Sequence, residues 1–447
     1  MFKKILIANR GEIAVRVIRA CKELGIKTVA VYSTEDRDSM HVKLADEAIC
    51  IGPPEAKKSY LNLFNIAQAI ANSGCDAVHP GYGFLSENPN FVRICDDLGV
   101  KFIGPDAETM ERLADKAKVK AILDENGIPT VPGSRGSVED EDSLIRVAKK
   151  IGYPILLKAA WGGGGKGMRV VRSESELIDA FSAAKLEAKA SFGRDDIYVE
   201  KFIEHPRHIE VQIIADEFGN VVHIGERDCT LQRRHQKLLE ESPSPVLKEY
   251  TRKKLHHTAV EAAKVLGYKN AGTLEFLFDG EDFYFIEINT RIQVEHPVSE
   301  MCYGVDLIKE QIRVSAGKEL SFVQSALEPQ FHVIECRINA EDPERFYPSP
   351  GTIKGLYIPG GPGVRVDTAI ACESKISPYY DSMIAKLIVR GGSREEARKR
   401  MLRCLDEFVV EGVKTTIPFF KKILTTEEFI NNNYDTNFID KKFLGRG

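Results

Sequence analysis

The stretch at 283–295, FYFIEINTRIQVE, constrains the fold more than any other. Read in steps of two, one parity gives Phe283, Phe285, Glu287, Asn289, Arg291, Gln293 and Glu295. The other gives Tyr284, Ile286, Ile288, Thr290, Ile292 and Val294. Successive side chains of an extended chain point to opposite faces. The pattern therefore predicts a strand over 283–295 with one apolar face and one that turns from aromatic to polar. A half-buried edge strand alternates in the same way. The polar residues are distinctive, however: carboxylates, amides and a guanidinium stand where a solvated face carries Lys, Thr and Ser.

Residues 273–278, TLEFLF, also read as β, and 279–282, DGED, read as a turn, so the two runs form a hairpin. A three-residue loop at 280–282, with Asp279 facing Phe283, sets Glu275 opposite Glu287. A two- or four-residue loop sends the two acids to opposite faces. Facing carboxylates destabilise a hairpin unless a cation lies between them. Two Glu and an Asn are hard oxygen ligands of the kind that hold Mg²⁺ or Mn²⁺ together with substrate phosphates. A divalent-metal site holding a nucleotide is expected at Glu275, Glu287 and Asn289.

The 447 residues suggest two to four domains at roughly 150 residues each. Hydrophobic content of 43% and charged content of 29% are those of a soluble globular chain. The net charge of −4, with both signs interspersed, gives no footprint for nucleic acid. Nine scattered cysteines without a CxxC read as reduced thiols, not as a zinc site or a disulfide framework. Polar Asn9 and Arg10 come too early for a signal peptide, and no run approaches a membrane span. A cytoplasmic protein is expected.

From the N-terminus, KILIA at 4–8 reads as a buried strand, followed by a helix over 11–24 and a strand over 28–32. The alternation continues through strands at 47–51, 77–78 and 101–103 and helices over 63–72 and 90–98, so residues 1–113 predict a parallel α/β domain. Its first βα turn, ANRG, lacks the GxGxxG of a dinucleotide site. The loop HPGYGFLSE at 79–87 follows a strand and is either a substrate rim or a tight turn. A helix is expected over 111–126, a solvated linker or helix start at 139–142, and a strand over 153–161.

Next comes GGGGKG at 162–167. It matches GxGxxG formally, but MRVV after it is β-like, whereas a dinucleotide loop opens a helix; nor is it a P-loop. A glycine hairpin that brings N–H groups to phosphates is one reading, and a mobile surface turn the other. Ordering four successive glycines is entropically costly, which favours a flap that closes on ligand. Beyond it are expected a helix over 175–191 and strands at 197–203, 208–214 and 220–224. The basic run QRRHQK at 232–237 is either an anion clamp or a solvated loop. After a helix over 304–315, a third part carries a strand over 331–339 with Arg337, Glu335 and Asn339 on one face. An antiparallel sheet through 384–389, a helix over 394–408 and a helical tail finish an α+β domain.

The strings KILIANRGEIAVRVIRACKELGI, HPGYGFLSEN, GGGGKGMRVV, ERDCTLQRRHQK, FIEINTRIQVEHPVSEM, ECRINAEDP and PYYDSMIAKLI together resemble the ATP-grasp superfamily. Within it they resemble the biotin carboxylases, of the kind that serve as subunits of bacterial acetyl-CoA carboxylase, and the likeness covers essentially the whole chain. The resemblance implies an N-terminal α/β domain (1–113), an ATP-grasp domain (114–318) with a glycine-flap lid at about 131–203, and a C-terminal domain (319–447). It implies that Lys116 and Lys158 hold ATP phosphates with Gly164 and Gly165, and that Glu200, Lys201, Phe202 and Ile203 form the adenine hinge. His208, Gln232 and His235 would reach the ribose region, and Lys237 would bridge the γ-phosphate and bicarbonate. Glu275, Glu287 and Asn289 match metal ligands, with two ions expected. Arg291, Gln293, Val294 and Glu295 match the bicarbonate pocket, Arg337 binds bicarbonate and biotin, and Tyr82 lines the biotin entrance.

The implied chemistry uses ATP, Mg²⁺ or Mn²⁺, and biotin as a carrier-bound substrate. Glu295 deprotonates bicarbonate, which attacks the γ-phosphate to give carboxyphosphate, and Arg337 stabilises the biotin enolate. The implied partners are a biotin carboxyl carrier protein, carboxyltransferase subunits and a second copy of the chain, with Arg16 and Arg365 at the dimer contact. The chain has no Met-Lys-Met biotinylation site, so a separate carrier is expected. Two positions depart from the pattern. Trp161 precedes the glycines where small or varied residues are usual, and Pro362 stands where a phenylalanine is common near the dimer contact. A two-subunit pyruvate or other acyl-CoA carboxylase is the alternative setting.

Overall fold

The computed structural model describes residues 1–161 and 168–445. Near the N-terminus, KILI forms a strand at Lys4–Ile7, with parallel neighbours on both sides in a five-stranded sheet. Its run is continuously apolar because both faces are covered. Leu6 packs with Val29, Val31 and Val78 on one side, while Ile5 and Ile7 pack on the other against Ile13, Val17 and Ile18. These last three come from the helix Gly11–Glu23, whose apolar residues recur at helical spacing.

The same helix reaches the rest of the molecule. Its buried face shares a core with Ile214, Val222 and Ala271 of a second sheet and with Val298, Leu307 and Ile308 of two later helices. That second sheet has eight strands, and it is what carries the site. In spatial order they are Phe283–Asn289, Asn270–Phe278, Arg207–Ala215, Val221–Arg233, Gln236–Ser242, His332–Asn339, Met383–Gly391 and Val364–Thr368. The strand at Gln236–Ser242 pairs antiparallel with His332–Asn339, so the expected third part continues the sheet of the part before it. A smaller antiparallel sheet of Met168–Val171, Ile155–Ala159 and Ile197–Lys201 stands apart, with its own core around Leu157, Val199 and Phe181.

Several expectations need correction. The helix expected over 111–126 is two helices, Ala107–Ala114 and Lys116–Glu125, divided where the Asp115 side chain caps the second by accepting from Lys118 N–H. The strand expected to run to 295 stops at Asn289. Beyond it the chain turns into a helix, His296–Tyr303, which ends at left-handed Gly304, and Leu307–Ser315 follows as a separate helix. The hairpin loop is also longer than the three residues that would align the acids. Phe278 pairs with Phe283 around a four-residue turn, and a register shift between Phe276–Phe285 and Glu275–Glu287 restores the facing acids. Ile286 is the extra residue of this β-bulge, and it returns Glu287 to the face of Glu275.

Candidate active site

Four strands of the large sheet aim polar side chains at one place. Lys237, from the strand Gln236–Ser242, sits at the centre and donates to Glu210, to Glu275 Oε1 (2.8 Å) and to Glu295 Oε1 (2.8 Å). Glu275 Oε1 also accepts from Asn289 Nδ2 at 2.9 Å and Gln293 Nε2 at 2.8 Å, while His208 Nε2 lies 3.0 Å from Glu275 Oε2. Burial alone would push Lys237 down; its three acids outweigh this and raise it. Burial would likewise raise Glu275, but Lys237 and His208 hold it well below the usual carboxylate range. Glu295 is held low by Lys237, Arg337 and Arg227 against the same burial.

The basic run QRRHQK divides. Arg234 and His235 form the tip of a two-residue turn, both with positive φ, and are exposed. Arg233 reaches Glu341 and lies over the Phe346 ring, Gln232 is buried, and Lys237 alone points into the acids. Arg337 donates Nε to Glu240 Oε1 at 2.6 Å and Nη2 to Glu295 Oε2 at 2.9 Å, which places it beside Lys237 across Glu295. The alternation read from sequence does not carry Gln293 and Glu295 into the site, since the strand has ended. The turn before His296–Tyr303 brings them back, fixed by His296 Nδ1 on the Gln293 carbonyl (2.8 Å) and Lys386 Nζ on the Val294 carbonyl (2.9 Å).

At the other end of the acidic row, Lys116, the first residue of its helix, pairs with Glu287. Glu200 on the small sheet receives Lys158 and Lys120, each at 3.0 Å, and its carboxyl is held down by them despite burial. The Lys201 and Phe202 N–H groups donate to the Pro132 and Pro154 carbonyls, and Lys201 Nζ donates to the Gly152 and Tyr153 carbonyls. Ile203 follows the end of that strand. Gly164 and Gly165 lie outside the described residues. Trp161, just before them, packs beside Ala117, Ala160 and Tyr198 with the Arg194 guanidinium 4.5 Å from its ring.

Arg291 bridges two groups, Nε meeting Glu87 at 3.0 Å and Nη2 reaching Asn289 Oδ1 at 3.4 Å, and Thr290 N–H also donates to Glu87. The loop at 79–87 is thus tied to the end of the central hairpin, while its Tyr82 donates to Glu12 on the Gly11–Glu23 helix. Arg16 and Arg365 converge on Glu300, at 2.8 and 2.7 Å, in a concave patch also lined by Arg19, Glu23 and Asp306.

Residues that sequence reasoning missed complete the site. Arg227 is fully buried and spreads across Glu210, Gln212, Ser299, Thr273 and Gln293, so it fixes both Glu210 and Gln293. Glu210, Glu240 and Lys120 are buried partners of Lys237, Arg337 and Glu200. The alternation His208, Glu210, Gln212 was a signal of the same kind as that at 283–289. Glu275, Glu287 and Asn289 offer oxygen donors on one face, and two facing carboxylates call for a cation between them, so this set fits Mg²⁺ or Mn²⁺.

Known proteins share this sequence and fold. The family described as biotin carboxylase, N-terminal domain, matches residues 1–110; carbamoyl-phosphate synthase L chain, ATP binding domain, matches 115–323; and biotin carboxylase C-terminal domain matches 335–441. Biotin carboxylase 1 of Bacillus subtilis is 53% identical over 443 residues, 98% of each chain. A pyruvate carboxylase subunit of Methanothermobacter thermautotrophicus is 51% identical, over 99% of this chain and 90% of that one. A Campylobacter jejuni biotin carboxylase–β,γ-ATP complex superposes with a TM-score of 0.96 at 50% identity, over 99% of both chains. The biotin carboxylase domain dimer of Hydrogenobacter thermophilus 2-oxoglutarate carboxylase, with MgADP, ADP and bicarbonate, superposes at 0.94 and 50% identity, over 99% of this chain and 98% of that one. The chain belongs to the biotin carboxylase family of ATP-grasp ligases.

Proposed function

We propose that this chain carries out the ATP-dependent carboxylation of biotin, borne on a carrier protein, as the first half-reaction of acetyl-CoA carboxylase in fatty acid synthesis. The observation that supports it best is the shared placement of Glu295 between Lys237 and Arg337. Bicarbonate needs a base, the transferring phosphoryl group needs cations, and the biotin enolate needs a donor; these three side chains meet those needs in one place.

Glu295 as it stands is a weak base, because two cations neutralise it. Once γ-phosphate oxygens draw off Lys237 and bicarbonate draws off Arg337, the buried carboxylate loses both and its basicity rises. It then takes the bicarbonate proton. In this reading Arg291, Gln293 and Val294 complete the bicarbonate pocket with Lys237 and Arg337. Lys116 and Lys158 hold ATP phosphates with Gly164 and Gly165, Glu200–Ile203 take the adenine, and His208, Gln232 and His235 take the ribose side. Glu275, Glu287 and Asn289 would hold the metal, which when bound neutralises charge on the phosphates. Tyr82 belongs to the biotin entrance. The same reading divides the chain at 113/114 and 318/319, with the lid at about 131–203. It adds a homodimer through the Arg16 and Arg365 face, separate carboxyltransferase subunits, and the cytoplasm. Among the described residues no helix is long and apolar enough to cross a membrane.

The likeness to one chain of a pyruvate carboxylase and to a 2-oxoglutarate carboxylase domain favours a second setting, in which the partner transferase passes the carboxyl group to another acceptor. The test is transfer of label from bicarbonate to free biotin in the presence of MgATP. Acid-labile carboxybiotin is the expected product. ATP turnover that never labels biotin would remove the proposal.

A further inference from the structure

Behind Arg337 the sheet buries two acids where the neighbouring cations serve one. Glu240 and Glu335 stand directly opposite each other in the antiparallel pairing of their strands, and both are fully buried. Side chains so paired have Cβ atoms about 4.5–5.5 Å apart, and like charges there destabilise a sheet. Glu240 Oε1 accepts from Arg337 Nε at 2.6 Å. Among the described residues Glu240 Oε2 and both Glu335 carboxyl oxygens have no hydrogen-bond partner.

The groups around the pair account for the nearby cations. Arg337, two residues along from Glu335, is shared between Glu240 and Glu295. Lys386, opposite Arg337 on the next strand, is taken by the Val294 carbonyl and by Glu12 at 3.0 Å. Lys237 is taken by Glu210, Glu275 and Glu295. Tyr82 donates to Glu12, Cys229 faces Glu240 from the neighbouring strand, and His296 stands beside Lys386. Among the described residues no cation is left for Glu335, and a buried carboxylate without a partner takes up a proton rather than stay charged.

We propose that Glu335 carries a proton and donates it to the free oxygen of Glu240, the two forming a one-proton carboxyl pair that positions Arg337. Burial, with the neighbouring acids, pushes both groups up, Glu240 to about 7 against the opposition of Arg337 and Lys237, and Glu335 against that of Lys386 and Arg337. With one proton, the pair presents a single negative charge to Arg337, whose Nη2 lies 2.6 Å from Glu240 Oε1 and 2.9 Å from Glu295 Oε2 and so is shared between the pair and the substrate side. Losing that proton adds a second negative charge, which draws the guanidinium back from Glu295. Gaining a second proton removes the anchor. Both are positioning residues acting through Arg337, and their effect on turnover rests on the biotin carboxylase reading; the proton itself does not.

The experiment therefore has a readout free of activity. In infrared difference spectra of the whole protein at pH 7, wild type minus Glu335→Gln should show a protonated-carboxyl carbonyl band. Its absence would overturn the proposal even if biotin is carboxylated, and its presence without biotin turnover would sink only the function. In the pH profile of biotin-dependent ADP release, Glu335→Gln, a neutral donor at every pH, should move the alkaline limb up by about one pH unit. An unmoved limb would overturn the positioning role. Should that variant fail to fold, Glu240→Gln serves instead. It should lower biotin-dependent turnover by about tenfold with the KM for ATP unchanged; a KM for ATP that moves as much as turnover would contradict a role through Arg337.

Discussion

Glu240 and Glu241 are sequence neighbours on one strand, and they face opposite sides of the large sheet in contrasting company. Glu241 is fully matched: Arg394 binds it through Nε and Nη2 at 2.7 and 3.0 Å, and His332 and Tyr434 each reach it at 2.8 Å. Burial would raise its carboxyl, but Arg394 and His332 hold it far below the usual range. Glu240, among the described residues, has one hydrogen bond, a bare second oxygen and a carboxyl pushed upward. The side of Glu241 is closed, with acids and bases in balance. On the other side Lys237 serves three acids and Arg337 two, so that side is short of cations. A closed network contributes rigidity; a face rich in acids is ready to accept cations from outside, as a metal-nucleotide site must.

The sharpest way to break this comparison is Lys237→Met. It strips the shared cation from three buried acids and should cost about 3–5 kcal/mol of stability. Bicarbonate-dependent ADP release should disappear with it; urea unfolding at wild-type midpoint would contradict the sharing. Glu241→Ala should cost a similar ~3–5 kcal/mol by stranding Arg394, while the folded fraction keeps its turnover number. A turnover loss exceeding the loss of folded protein would mean that the closed face is not merely structural. Arg337→Ala should lower biotin carboxylation by roughly 3–4 kcal/mol of transition-state stabilisation with ATP affinity nearly intact. Lost ATP affinity with normal turnover would reverse that assignment.

The smallest effect belongs to another closed cluster. His256 Nε2 and Arg252 Nε bind Glu226 at 2.6 and 2.8 Å. Burial would raise this carboxyl, but the two bases bring it from the ordinary 4.5 down to about 2. A depressed acid contributes stability that is present above its unfolded value and lost as pH falls through the folded one. Wild type should therefore lose up to about 3 kcal/mol of stability relative to Glu226→Gln between pH 5 and pH 2. Equal acid sensitivity of the two proteins would show that the cluster is not paired as described.

Local patterns were legible wherever one strand or helix carries its own periodicity. The doubly covered strand at 4–7 and the helix over 11–24 follow from spacing, whereas the facing of Glu275 and Glu287 does not. The facing was reached by a different geometry: the turn is one residue longer than needed, and the bulge at Ile286 compensates, which alternation cannot reveal. Past Asn289 the alternation continues in sequence while the backbone turns: the Gln293 carbonyl is held by His296, three residues on, and the Val294 carbonyl by Lys386 from a strand some ninety residues away. Arg227, Glu210 and Glu240 stayed hidden for the same reason. Each owes its role to a partner on another strand, and only Glu210 carries a local mark, the alternation with His208 and Gln212. Glu87 was singled out only as part of a loop, and its link to Arg291 spans some two hundred residues.

The most direct measurement is ADP release with Mg²⁺ and ATP, with and without bicarbonate, and with and without free biotin. Release that requires bicarbonate and rises with biotin is the expected result. Release indifferent to both would contradict a biotin carboxylase and point instead to an ATP-grasp ligase with another acceptor.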